Sequence, residues 1–276
     1  MSWPNEKTAV PDQPNPSSLE KTSEKDPLPS YTNATAGSSS AFQTPFASMS
    51  MHMEDRIRFM QFPIEVFNIC RQAVLSIWKR GIQAQREYGS SKEIKLNGNP
   101  WRGSGDEAID ARRLICALLG TLHSQGWVLT LSTDISKKNW DKDTLIFRHQ
   151  IPGPAPCDWC CIGFSKQDRL KFIDVAPEVS NGVVSRLGQG RVQDHRAHSR
   201  GVYEVKLRGT PWMASGTETM EARQLLLIMM GVLEEHGWTV YASVDQKNGG
   251  EKHTETDTWH CCRPKGWTRG APVYHN

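Results

Sequence analysis

The chain has no run of 18 apolar residues, which excludes a helix long enough to cross a membrane. It has no charged start followed by an apolar stretch, so no secretory leader is read at its N-terminus. Apolar residues are sparse as a whole, 37% with a mean hydropathy of −0.55, so some segment dilutes an otherwise ordinary core. The net charge of +3 is too small to draw a nucleic acid by field alone, and nucleic acid is not expected as a partner. Seven cysteines, an odd number without framework spacing, point to a reducing compartment, cytoplasmic or nuclear. Also missing are a Gly-Lys-Ser/Thr phosphate loop, a nucleophile elbow, a Ser-His-Asp order and a kinase signature.

What the chain does have is a repeat. Glu93-Ile94-Lys95-Leu96-Asn97-Gly98-Asn99-Pro100-Trp101 returns as Glu204-Val205-Lys206-Leu207-Arg208-Gly209-Thr210-Pro211-Trp212, 111 residues later. Without a gap, 18 of the 42 positions from Glu93 to Asp134 are identical, far above chance. Each copy reads as a short strand, a Gly/Pro turn, an amphipathic helix and another strand. The helix faces are Ala111, Leu114, Ile115, Leu118, Leu119 and Leu122, and Ala222, Leu225, Leu226, Met229, Met230 and Leu233. Ser104 and Glu107, like Ser215 and Glu218, have capping-box spacing. Gly126 and Gly237 mark the helix ends, each followed by Trp.

The remainder sets the expected boundaries. Residues 1–61, rich in Pro, Ser and Thr, read as a disordered tail. Residues 62–187 read as a first unit. Its leading helix starts at Pro63 and ends near Tyr88-Gly89, and it closes on a hairpin around Lys166-Gln167-Asp168. Residues 188–276 read as a basic linker and a second, truncated unit that lacks the hairpin strands and leans on the first. The fold class expected is α+β: two tandem units, each an amphipathic helix on a small antiparallel sheet.

Candidate chemistry lies at four residues. Trp101 and Trp212 sit between a strand and a helix start, where backbone amides can hold an anion. Arg112 and Arg223 flank the helix faces and could receive a carboxylate or phosphate. The ordinary alternatives are a Trp core anchor and an Arg lying along its helix. Cys157-x-x-Cys160 suggests zinc, but Cys160 and Cys161 fall on a strand and point to opposite faces, and the other copy has no such pair. No metal and no cofactor are expected. The repeated residues serve folding, so the first reading is a non-enzymatic protein-interaction module. A protein partner and intramolecular packing of the two units are expected with it. The second is a small-anion binder or enzyme at the strand–Pro-Trp–helix corners. The third is weak RNA or membrane-surface binding through the basic stretch from Arg186 to Arg208.

Overall fold

A computed structural model describes residues 44–135, 142–246 and 257–273. Two copies of one α+β plan follow each other. The first runs β1 (Phe46–His52), β2 (Arg56–Met60), α1 (Ile64–Ile77), β3 (Ile82–Tyr88), β4 (Ser91–Leu96), α2 (Asp106–Ser124), β5 (Trp127–Thr133) and β6 (Thr144–His149). The second runs β7 (Cys157–Ser165), β8 (Arg169–Ile173), α3 (Pro177–Arg191), β9 (Val192–Ser199), β10 (Val202–Leu207), α4 (Glu218–Glu235), β11 (Thr239–Val244) and β12 (Thr258–Pro264), with a 3-10 turn at Pro211–Met213. Each copy forms a six-stranded antiparallel sheet, in the order β3-β4-β2-β1-β6-β5 and β9-β10-β8-β7-β12-β11, which is the same order element for element.

Alternation explains the sheets. Met49, Met51, Ile57, Phe59, Ile94, Leu96, Leu145 and Phe147 turn to one face of the first sheet and are buried under α1 and α2. Ile162, Phe164, Leu170, Phe172, Val205 and Leu207 do the same in the second, under α3 and α4. Burying residues of this size stabilises each by about 1.5–3 kcal/mol, which is what holds the helices down. Gly126 and Gly237 have φ of 81° and 79°, the left-handed turn that lets Trp127 and Trp238 fold back into the cores.

The unit boundaries differ from those read in the sequence. The hairpin at 157–173 does not close the first unit. It opens the second and occupies the place of β1 and β2, so the second unit is not truncated and its sheet needs no strand from the first. The first unit begins at Phe46, and residues 46–60 are strands rather than tail. The rest of the expected tail, residues 1–43, lies outside the described residues. The leading helix stops at Ile77, and residues 82–88 are strand β3. The basic "linker" is α3 and the hairpin β9–β10, with Arg186 on Glu235 at 2.8 Å and Arg208 on the Gln189 carbonyl at 2.9 Å.

The capping boxes do not form. Gly105 and Gly216 take φ of 57° and 55°, which rotates Ser104 and Ser215 away from the helix starts, and neither helix has a side-chain cap. Glu107 instead accepts from Arg80 at 2.7 Å.

Candidate functional site

The two repeats stack. α2 is buried on both sides: one side faces its own sheet, and the other lies on the far face of the second sheet, against β7. Ile109 and Cys116 pack with Cys161, Ile173 and Val202. Gly120 admits the Trp159 indole, whose ring atoms would lie only 3.1 Å from any Cβ placed there. Trp159 in turn meets His123 and Tyr241 edge-on, at 5.4 and 4.9 Å between ring centres.

Polar bonds fix the rest of the seam. Arg113 pairs with Asp174 through two 2.8 Å bonds and also reaches the Arg200 carbonyl. Tyr241 takes the Leu129 amide at 2.6 Å, and Asp143 takes the amide of Asp245 at 2.9 Å. Burial raises the Asp143 carboxyl above its ordinary range, against the bonds from Asp245 and Ser132.

At the centre of the seam, donor atoms of Cys116, Cys161 and His260 lie within 4.8 Å of one another, all buried. His260 has its pKa lowered to about 3, by burial and then by the nearby Arg112 charge, so the ring is neutral. Its Nδ1 makes no hydrogen bond, while Nε2 sits 2.9 Å from the Gln246 amide. The Cys116 thiol is raised well above its usual value by its bond to Cys161 and by burial. A protonated thiol is a weak nucleophile and a weak ligand. Three donors are one short of a closed structural zinc site, and Arg112 sets a positive charge beside them. Cys160 and Cys161 do face opposite sides of β7: Cys160 packs in the second core and Cys161 in the seam. Cys157 is not among the converging ligands.

A second feature recurs in both copies. Glu93, 1% exposed, accepts from Arg56 at 2.5 Å, Arg58 at 2.8 Å and Arg86 at 2.8 Å on the outer face of the first sheet. Burial alone would raise its pKa, but the three guanidinium bonds together hold it below the usual carboxylate range. Glu204 repeats the motif, bonded by Arg169, with Lys171 opposite it and Arg196 at 3.9 Å. A carboxylate held this way is a poor proton acceptor.

The four residues singled out in the sequence go to separate places. Trp101 is fully buried and donates its indole N–H to the Arg56 carbonyl at 3.2 Å. Trp212 does the same to the Arg169 carbonyl at 3.2 Å, with its ring on Phe164. Both pin the helix start to the opening hairpin. The first corner is filled by the Arg80–Glu107 pair, which leaves Gly98 and Gly103 no open space. At the second corner a pocket of 290 Å³ has Arg191 and Arg208 on its wall, but Glu218 and Glu221 too, which oppose an anion. Arg112 is buried in the seam over Gly163, donating to Thr258 Oγ1 at 3.1 Å and to the Ala108 carbonyl at 3.3 Å. Arg223 is exposed and donates to the Thr219 carbonyl at 3.0 Å.

One family model, described only as a domain, matches the chain twice, over residues 45–148 and 158–262. The chain belongs to that domain family, with two copies in tandem. No curated protein and no solved structure matches it. The two matches coincide with the two sheets, and they include the opening hairpins that the ungapped comparison missed. A signal for them existed: Glu65-Val66-Phe67-Asn68 returns as Glu178-Val179-Ser180-Asn181, at an offset of 113. The two-residue change in offset hid the alignment of α1 with α3.

Proposed function

We propose that the protein is a non-enzymatic protein-interaction module. The observation that carries this is an imbalance within the stack. The face of α2 that looks away from its own sheet is covered by the second repeat, whereas the same face of α4 is open and apolar, with Leu227 71% exposed and Met220 59% exposed. A stack of repeats ordinarily ends in a polar face. An exposed apolar end marks a surface that takes a partner.

The titratable groups support the same reading. Glu93 accepts three guanidinium bonds, His260 is sealed and neutral, and the Cys116 thiol is raised well above its usual value by its bond to Cys161 and by burial. Seven free thiols fit a cytoplasmic or nuclear setting. No helix among the described residues is long and apolar enough to cross a membrane. Within the basic stretch Arg186 pairs with Glu235, Arg208 donates to the Gln189 carbonyl and Arg196 lies 3.9 Å from Glu204, which speaks against RNA or lipid as its ligand.

The test is affinity purification with the wild-type chain and with Leu227→Asp, both checked for folding by circular dichroism. Proteins retained by the wild type and lost with the variant are expected. An identical retained set would overturn the reading, as would a ligand that raises the melting temperature from the corner pocket beside Arg191 and Arg208.

A further inference from the structure

The two open ends of the stack are the two halves of its own internal seam. The seam joins the outer side of α2 to the outer face of the second sheet. The outer side of α4 repeats the first half, and the outer face of the first sheet repeats the second. We propose that the protein associates head to tail with a second copy of itself, α4 of one chain lying on the outer face of β1, β2, β5 and β6 of the next. This deepens the interaction reading above and rests on it.

The strand registers make the equivalence residue by residue. Ser48 faces Met60 and Ile146 as Cys161 faces Ile173 and His260, so Phe46 stands where Trp159 does. Leu131 pairs with Ile146 just past a bulge, as Ala242 pairs with His260 past the same bulge. Gln61 and Asp174 share a left-handed backbone, φ 63° and 55°, at the end of the same hairpin. On the helix the 111-residue offset turns Ile109, Cys116, Leu119 and Gly120 into Met220, Leu227, Met230 and Gly231.

Burial then separates the two sets. Ile109, Cys116, Cys161, Ile173 and Ala242 are buried in the seam, whereas Phe46 is 50% and Leu131 49% exposed, and Met60 is exposed with them. Gly231 has nothing within 4 Å, while Gly120 is pressed by the Trp159 ring. The aromatic ring that would fill the space over Gly231 is Phe46 of another copy. The charged pair Arg113–Asp174 becomes Gln224 and Gln61, so neither open face carries an unmatched charge there.

The fields match as well. The outer face of the first sheet carries Arg56, Arg58, Arg86, Lys95 and Arg148 around the single Glu93. The α4 helix exposes Glu218, Glu221 and Glu234 against Arg223, while Glu235 is already paired with Arg186. Opposite potentials of this kind steer one face onto the other. Ser50 stands where Gly163 lies, so Arg223 cannot sink as deep as Arg112 does, and the external contact is weaker than the internal one. Because the two faces differ, each added copy presents a fresh pair of ends, and the association is open-ended unless a ring closes.

Sedimentation equilibrium of the full chain, from low micromolar to near-millimolar concentration, reads this directly. The expected result is a mean mass that climbs with concentration without stopping at a dimer. Leu227→Asp blocks the helix end and Leu131→Asp the sheet end. Both positions are exposed, so both variants keep the wild-type circular dichroism and melting curve, and each alone loses association at least tenfold. Mixed, they form a one-to-one heterodimer and nothing larger, because one intact helix end meets one intact sheet end. A wild type that stops at a dimer, with Leu131→Asp alone still dimeric, would mean a helix-to-helix contact and overturns the proposal. A wild type that is monomeric throughout also overturns it. If Leu227→Asp still loses a protein retained by that monomer, the interaction reading stands and only the identity of the partner falls.

Discussion

α2 and α4 are the same helix in two settings. They share Ala111/Ala222, Arg112/Arg223, Leu114/Leu225, Gly120/Gly231 and Leu122/Leu233, and each closes the core of its own sheet. The difference is the second sheet lying over α2. It buries Ile109, Arg112, Cys116 and His123, whose counterparts Met220, Arg223, Leu227 and Glu234 are open. A position common to both helices therefore reports what one face owes to its neighbour and not to the helix. The same holds for the sheets, whose outer faces share a buried glutamate but differ in whether a helix covers them.

The largest contrast is expected at that glutamate. Glu93→Gln leaves Arg58 partly buried without its counter-charge and Arg56 with only Asp55 at 3.5 Å, at a cost of about 3 kcal/mol. Glu204→Gln, with fewer short bonds to lose, is expected to cost about half as much, and paired urea melts measure both. The pH dependence has a definite sign. The folded pKa of Glu93 is depressed, so its contribution is present above the unfolded value, about 4.3, and is lost as pH falls through the folded one. A melting temperature of Glu93→Gln that drops across that acid window as steeply as the wild type would refute the role assigned to it.

Next in size is the glycine pair. Gly120→Leu drives a side chain into the Trp159 ring and is expected to cost about 2 kcal/mol. Gly231→Ala meets open space and should stabilise by up to ~1 kcal/mol through helix propensity alone. If both substitutions shift the melting temperature alike, the seam is not closed where the structure places it.

Arg112→Ala removes a guanidinium packed over Gly163 and bonded to Thr258, for about 1–2 kcal/mol, while Arg223→Ala stays within about 0.5 kcal/mol. Differential scanning calorimetry on the two variants separates them. The smallest effect belongs to Ser104→Ala and Ser215→Ala. Spacing alone predicts a loss of about 1 kcal/mol for each. With no side-chain cap at either helix start, a change under about 0.5 kcal/mol is expected from thermal melts.

What the sequence determined by itself was the doubling, the α+β class and the strongest pieces of each unit. The helices at 106–124 and 218–235, the glycines that stop them and the strands at 91–96 and 202–207 all carry a clear period. β3 and β9 were not legible, because they are sheet edges with almost every side chain exposed, so no burial pattern marks them. β1 and β2 were hidden for another reason. In β1 the core residues Ala47, Met49 and Met51 alternate with serines at 48 and 50, and β2 is only five residues long, so the composition resembles a tail. Where the repeat begins depended on the tertiary structure. Two hairpins look alike locally, and only their pairing with β6 and β12 assigns each to a sheet. The seam depended on it most. Cys116, Cys161 and His260 are separated by 45 and 99 residues, and no local pattern brings them together. They meet because α2 has apolar residues on two sides and its own sheet can bury only one.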